Sequence, residues 1–224
     1  MRRLRSAAVA MACALAASAP AQPRQPQPGI VRTQLVDNAT VLVAQLRMEP
    51  GARETIHTHP FSAVVVQLTA GDVDMTLGSD HTRAPRAPGF VWFVPKEMPH
   101  AAVNAGSAAF EVVTVAIKAT RPSAPAAPAT AAPPGITRTT ILDNDEARVV
   151  RVRFAPGSGE PVHAHPNDLL TIQLTGGRVE IVTGTERTVD ERAPGFVRFL
   201  PRDVPHAYVS ADAQPFELLS VSIK

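Results

Sequence analysis

Six of the seven histidines fall into two matching sets: His57, His59 and His100, then His163, His165 and His206. Each member of the second set follows its counterpart by 106 positions. Neutral imidazole is the commonest protein ligand for a d-block metal, and neither solubility nor capping requires the same triad twice. The chemistry these residues predict is metal binding, with one ion per set. Along an extended strand, residues two apart share a face, so His57 with His59, and His163 with His165, can serve one ion. His100 and His206 must then come from a second strand or the turn before it, where Pro99 and Pro205 fix the backbone.

Two more residues are candidates for chemistry in the second copy. Asp168 lies three positions after His165, where the first copy has Ser62, and is expected to reach the second metal. Tyr208 shares the strand face of His206, where the first copy has Ala102. Phenol and carboxylate both transfer protons when held beside a substrate. Tyr208 and Asp168 are therefore the catalytic candidates, and the second site is the expected seat of chemistry. Glu54 and Glu160 precede the paired histidines by three positions, which predicts the opposite strand face and a solvated or salt-bridged role. Arg86 and Arg192 open an RAPGF turn in each copy and are expected to tie that loop by hydrogen bonds.

These residues need strands to hold them. Gly29 to Lys118 aligns with Gly135 to Lys224 without a gap, at about 40 identities. Short β-branched runs such as Val64-Val65-Val66 and Leu169 to Leu174 alternate with Pro-Gly, Gly-Gly and Asp-Asn turns. No stretch of helical period stands out beyond the N-terminal leader. The prediction is an all-β chain of two tandem domains, 29–118 and 135–224, each an antiparallel sandwich or barrel. Residues 119–134, ATRPSAPAAPATAAPP, cannot build a core and read as an Ala/Pro-rich linker, with a shorter Pro-rich one at 22–28. Burial between the two copies would reinforce domains this small.

Residues 1–21 carry a basic head, an apolar run and a small-residue cleavage site, the pattern of a secretory signal peptide. The expected location is periplasmic or secreted. Removing Arg2, Arg3 and Arg5 takes the formal charge from +2 to near −1. That predicts no nucleic-acid partner and no membrane association of the mature form. The single cysteine, Cys13, leaves with the leader, which excludes thiolate ligands and a cysteine nucleophile.

The histidine segments resemble the two motifs of the cupin superfamily. The first motif, G-x5-H-x-H-x3–4-E-x6-G, is matched by Gly51, His57, His59, Val64 and Gly71, and again by Gly157, His163, His165, Leu170 and Gly177. The second, G-x5-P-x-G-x2-H-x3-N, is matched by Gly89, Pro95, His100 and Asn104, with Glu97 at the middle glycine. Gly195, Pro201 and His206 match it in the second copy, with Asp203 and Ser210 departing. The resemblance implies two jelly-roll barrels, a bicupin, each holding a divalent transition metal (Fe, Zn, Mn, Ni or Cu). An aliphatic residue stands where the motif has its glutamate ligand. The family register turns Gln67 and Gln173 away from that position. Three neutral imidazoles leave the metal's charge uncompensated, which favours an anionic, chelating small-molecule substrate. Three-histidine cupins include dioxygenases, so the resemblance, taken with the leader, implies an exported metal-binding bicupin that is a dioxygenase or related small-molecule enzyme. The alternatives are a non-catalytic periplasmic binding protein or barrels with purely structural metal. A homo-oligomer is compatible with this reading.

Overall fold

The computed structural model describes residues 27–120 and 132–224. The expected signal peptide and most of both linkers lie outside them. Every regular element among the described residues is a β-strand. The first half runs β1 Ile30–Asp37, β2 Val41–Met48, β3 Ser62–Gln67, β4 Gly71–Leu77, β5 Asp80–Arg86, β6 Val91–Val94, β7 His100–Asn104 and β8 Phe110–Ile117. The second half repeats the series as β9 Ile136–Asp143, β10 Ala147–Phe154, β11 Leu169–Gln173, β12 Gly177–Thr183, β13 Glu186–Arg192, β14 Val197–Leu200, β15 Ala207–Ser210 and β16 Phe216–Ile223.

Each half folds into a five-stranded sheet facing a three-stranded one. The orders are β1-β2-β8-β3-β6 over β5-β4-β7, and β9-β10-β16-β11-β14 over β13-β12-β15. Neighbouring strands pair antiparallel throughout, as in β2 against β8, where Val41 faces Ile117 and Met48 faces Phe110. The chain is two tandem jelly-roll barrels.

Within the five-stranded sheets, β3 and β11 are buried on both faces, which is why they are almost continuously apolar, while the edge strands β1 and β9 are largely exposed. In the first half, Ala63, Val65, Leu46, Met48 and Phe110 turn into the barrel. Val41, Val43, Val64, Val66 and Val115 turn the other way and join Val149, Leu170, Ile172 and Val221 of the second half in one continuous core. The three-stranded sheets are wet outside, where Arg83 pairs with Asp72 at 2.9 Å and both are partly exposed. An exposed pair of this kind adds little stability. The molecule is held by the seam between the two large sheets and by the two barrel interiors.

The RAPGF turns close against this seam. Gly89 has φ +78°, and a Cβ there would lie 1.8 Å from a guanidinium nitrogen of Arg151 in the other half. That guanidinium donates to Pro88 O at 3.0 Å. Gly195, φ +85°, packs against Leu68 in the same fashion. The left-handed backbone is what demands glycine at both positions, since the neighbouring ends of Arg151 and Leu68 can shift.

Candidate metal centres

The third histidine of each set reaches the first through the backbone. His57 and His100 form an isolated antiparallel bridge. The His57 N–H donates to His100 O at 3.0 Å, and the reverse bond has the same length. His163 and His206 repeat it at 2.9 Å in each direction. The third histidine is thus a laterally bonded neighbour of the first. The ring centroids in the first half lie 4.7, 4.3 and 4.9 Å apart, and in the second 4.8, 4.7 and 5.1 Å. Within each triad, one nitrogen per ring lies within 4.8 Å of the other two.

Four of the six rings are oriented by their own backbone. Nδ1 of His57, His100, His163 and His206 lies 2.7–2.9 Å from the carbonyl oxygen two residues earlier: Thr55, Met98, Pro161 and Val204. Nδ1–H donating to that carbonyl fixes the tautomer and leaves the Nε2 lone pair for a metal. The Nε2 atoms of His57 and His59 stand 3.1 Å apart, and those of His163 and His165 3.2 Å. Two nitrogens each about 2.1 Å from one ion at a right angle are separated by about 3 Å. This donor set fits a divalent transition ion. Burial pushes the His165 imidazolium down to about 4, and the charges of His163 and His206 act the same way. Burial also lowers His206. Neutral rings are the metal-ready form.

The turn before the third histidine carries the clearest backbone strain. Glu97 and Asp203 adopt φ 58° and 60° where the motif has glycine. Each places its N–H on the carbonyl of the middle histidine, Glu97 on His59 at 2.7 Å and Asp203 on His165 at 2.8 Å.

Three expectations need correction. Val64 and Leu170 do not face the histidine triads; both lie in the seam, fully buried. Ala63 and Leu169 are the residues that turn inward beside the triads. Gln67 pairs with the inward-facing Val112 and so faces the barrel interior rather than away from it. The second correction concerns Asp168. Its carboxylate accepts from Thr40 Oγ1 at 2.8 Å and from the Arg202 N–H at 3.0 Å, so it is held at the seam away from the histidines. The third concerns Glu54 and Glu160. Bridges pair Arg53 with Val103 and His57 with His100, which sets four steps of one strand against three of the other. The extra residue is a bulge and reverses the strand face. Glu160 therefore sits 3.8 Å from His163 Nε2 and also binds Arg138. Glu54 lines the cavity at the first triad together with Arg32.

Tyr208 stands where expected, edge-on to His206 with centroids 5.6 Å apart. Its hydroxyl has no hydrogen-bond partner. Arg192, expected to tie a loop, is instead wholly buried in the second barrel. It touches Asp190 at 3.3 Å and lies over the Phe196 and Tyr208 rings.

No protein-family model matches the chain. Over 89 residues, about one repeat, it is 37% identical to the beta-alanine degradation protein BauB of Pseudomonas aeruginosa, covering 40% of this chain and 92% of that protein. The chain belongs to the BauB family. Among solved structures, AerE from Microcystis aeruginosa superposes with a TM-score of 0.73 at 16% identity, over 91% of this chain and 96% of that one. A cupin 2 conserved barrel domain protein from Leptotrichia buccalis gives 0.60 at 13%, over 90% and 92%. Salicylate 1,2-dioxygenase from Pseudoaminobacter salicylatoxidans gives 0.68 at 14%, over 85% and 76%. These likenesses place this BauB relative in the cupin fold.

Proposed function

We propose that the chain is an exported, metal-dependent cupin enzyme. In this reading His57, His59 and His100 hold one divalent ion and His163, His165 and His206 hold a second. The observation that carries it is the convergence of three imidazoles in each barrel, with Nδ1–H bonds presenting Nε2 in two rings of each triad. When bound, such an ion supplies Lewis acidity and open coordination positions. The chain's own residues do the rest. The backbone carbonyls of Thr55, Met98, Pro161 and Val204 hold the rings. In this reading the three neutral rings leave an ion's charge to be met by the substrate, because Glu160, 3.8 Å from His163 Nε2, is tied to Arg138.

The reaction class we infer is oxidative cleavage of a small chelating anion, by analogy of fold with salicylate 1,2-dioxygenase. Oxidative C–C cleavage of this kind places both atoms of O2 in the product and needs no further reductant. The name of BauB, a beta-alanine degradation protein, makes small carboxylates the second substrate class to assay. The deciding experiment is elemental analysis of protein purified from its native compartment, then oxygen uptake with a panel of chelating anions. Two transition ions per chain and one O2 consumed per substrate are expected. A chain that holds ions but turns over none of the panel would favour the binding-protein alternative.

A further inference from the structure

The two triads are alike, but the space beside them is not. A cavity of about 280 Å³ opens next to His59 and His100 in the first barrel. Its lining includes the polar side chains of Arg32, Glu54, His59, His100 and Thr114, while Met48, Met75, Trp92 and Phe110 supply much of the apolar wall. In the second barrel three of the corresponding positions carry larger side chains. Met48, Ala63 and Ala102 are matched by Phe154, Leu169 and Tyr208, and all three of these are buried in the barrel core. Phe154 stacks on Phe216 with centroids 4.8 Å apart. Tyr208, 3% exposed, lays its ring against His206. Trp92, a flat apolar wall in the first barrel, is matched by Arg198, which binds Asp190 at 3.3 Å.

From this asymmetry we infer that the first barrel alone is the substrate chamber. Its ligand is a chelating anion carrying a compact apolar body, one ring or a short branched chain. The inference rests on the metal reading above and deepens it. The chelating end meets the ion at His57, His59 and His100. The apolar body lies on Trp92 and the methionines, whose unbranched side chains adapt to irregular shapes. Size follows from volume: a dry cavity of about 150 Å³ accepts benzene, so this one takes a ring with its chelating substituent. The second barrel keeps its triad but fills the matching space with its own phenol, which reverses the expectation that chemistry sits beside Tyr208.

The test uses the full chain loaded with Co(II) and two probes with the same chelating head, benzohydroxamate and acetohydroxamate. Binding is read from the visible spectrum of cobalt. One benzohydroxamate per chain is expected, bound roughly tenfold or more tightly than acetohydroxamate because its ring leaves water. Ala102→Tyr, which installs the second barrel's residue, should remove that preference and leave two cobalt ions per chain. Ala63→Leu gives a second, smaller obstruction should the tyrosine variant not fold. His206→Ala should lose one ion and keep the preference. A ring preference that survives both filling variants, disappears in His206→Ala, or is absent with two ions bound would overturn the inference and leave the metal reading intact. A wild-type chain that retains no metal would overturn both.

Discussion

Thr40 and Asp168, 128 residues apart, are joined across the seam by a 2.8 Å hydrogen bond from hydroxyl to carboxylate. The repeat relates this bond to a second one, from Ser62 to Glu146, also 2.8 Å, in which the donor and acceptor positions are exchanged. Each seam residue also receives the N–H that opens the turn before its own third histidine. Arg202 donates to Asp168 and Lys96 to Ser62, both at 3.0 Å. One side chain thus ties a metal turn to the opposite barrel. Asp168→Ala should cost about 2 kcal/mol, since it leaves the Thr40 hydroxyl and the Arg202 N–H without an acceptor. Asp168→Ser, the first copy's own residue, should recover part of that. Denaturant unfolding checks both, with metal content expected to stay at the wild-type value. Loss of metal at the second triad would contradict the placement of this carboxylate.

The ligand assignment predicts independent losses. His100→Ala should release one ion per chain and His206→Ala the other, each leaving its partner barrel loaded. Ion counting on the dialysed variants decides this. Retention of both ions by either variant would remove that histidine from the ligand set.

Much of the fold and the triads was legible in the chain, and what was hidden has physical causes. The 106-residue offset and the Pro-Gly turns announced two copies of a β domain, and the histidines marked the sites. The inward face of β3 could not be read, because Ala63-Val64-Val65-Val66 is apolar on both sides. One side lines a barrel and the other lines the seam, so alternation carries no signal. Glu54 and Glu160 were misplaced for another reason. A rule of alternating faces assumes unbroken pairing, and the bulge between Arg53 and His57 adds a residue that no composition marks. Asp168 looked like a metal neighbour by sequence distance, but its bonding partner Thr40 belongs to the other copy. The cavity was open to reading in principle: comparing Ala102 with Tyr208 and Ala63 with Leu169 as volumes rather than functional groups would have located it.

Glu97 and Asp203 hold left-handed backbone at φ 58° and 60°. That conformation costs a residue with a Cβ roughly 1–2 kcal/mol, less for aspartate, whose short polar side chain visits it more readily. Glu97→Gly is therefore expected to raise stability by up to about 1 kcal/mol, after the added freedom of glycine in the unfolded chain is set against the relief. Asp203→Gly should gain less. Unfolding midpoints for the two variants, measured side by side, test the order. Equal or reversed gains would mean that these side chains contribute contacts beyond the turn.

Tyr208 separates ring from hydroxyl. Its ring fills the second barrel beside His206, and its hydroxyl is buried without a hydrogen-bond partner. A buried polar group left unpaired gains nothing to offset the water it has given up. Tyr208→Phe keeps the packing and removes the unpaired group, so stability should hold or rise by up to about 1 kcal/mol. Tyr208→Ala deletes the ring and should cost roughly 3–5 kcal/mol, the range for emptying an aromatic site in a packed core. Both changes leave His163, His165 and His206 in place, and the phenylalanine variant should keep its full metal complement. Thermal unfolding of the two variants, with ion counts before heating, gives the comparison. A phenylalanine variant less stable than wild type by more than about 1 kcal/mol would show that the hydroxyl is bonded in solution. That outcome would return the phenol to candidacy as a proton-transfer group.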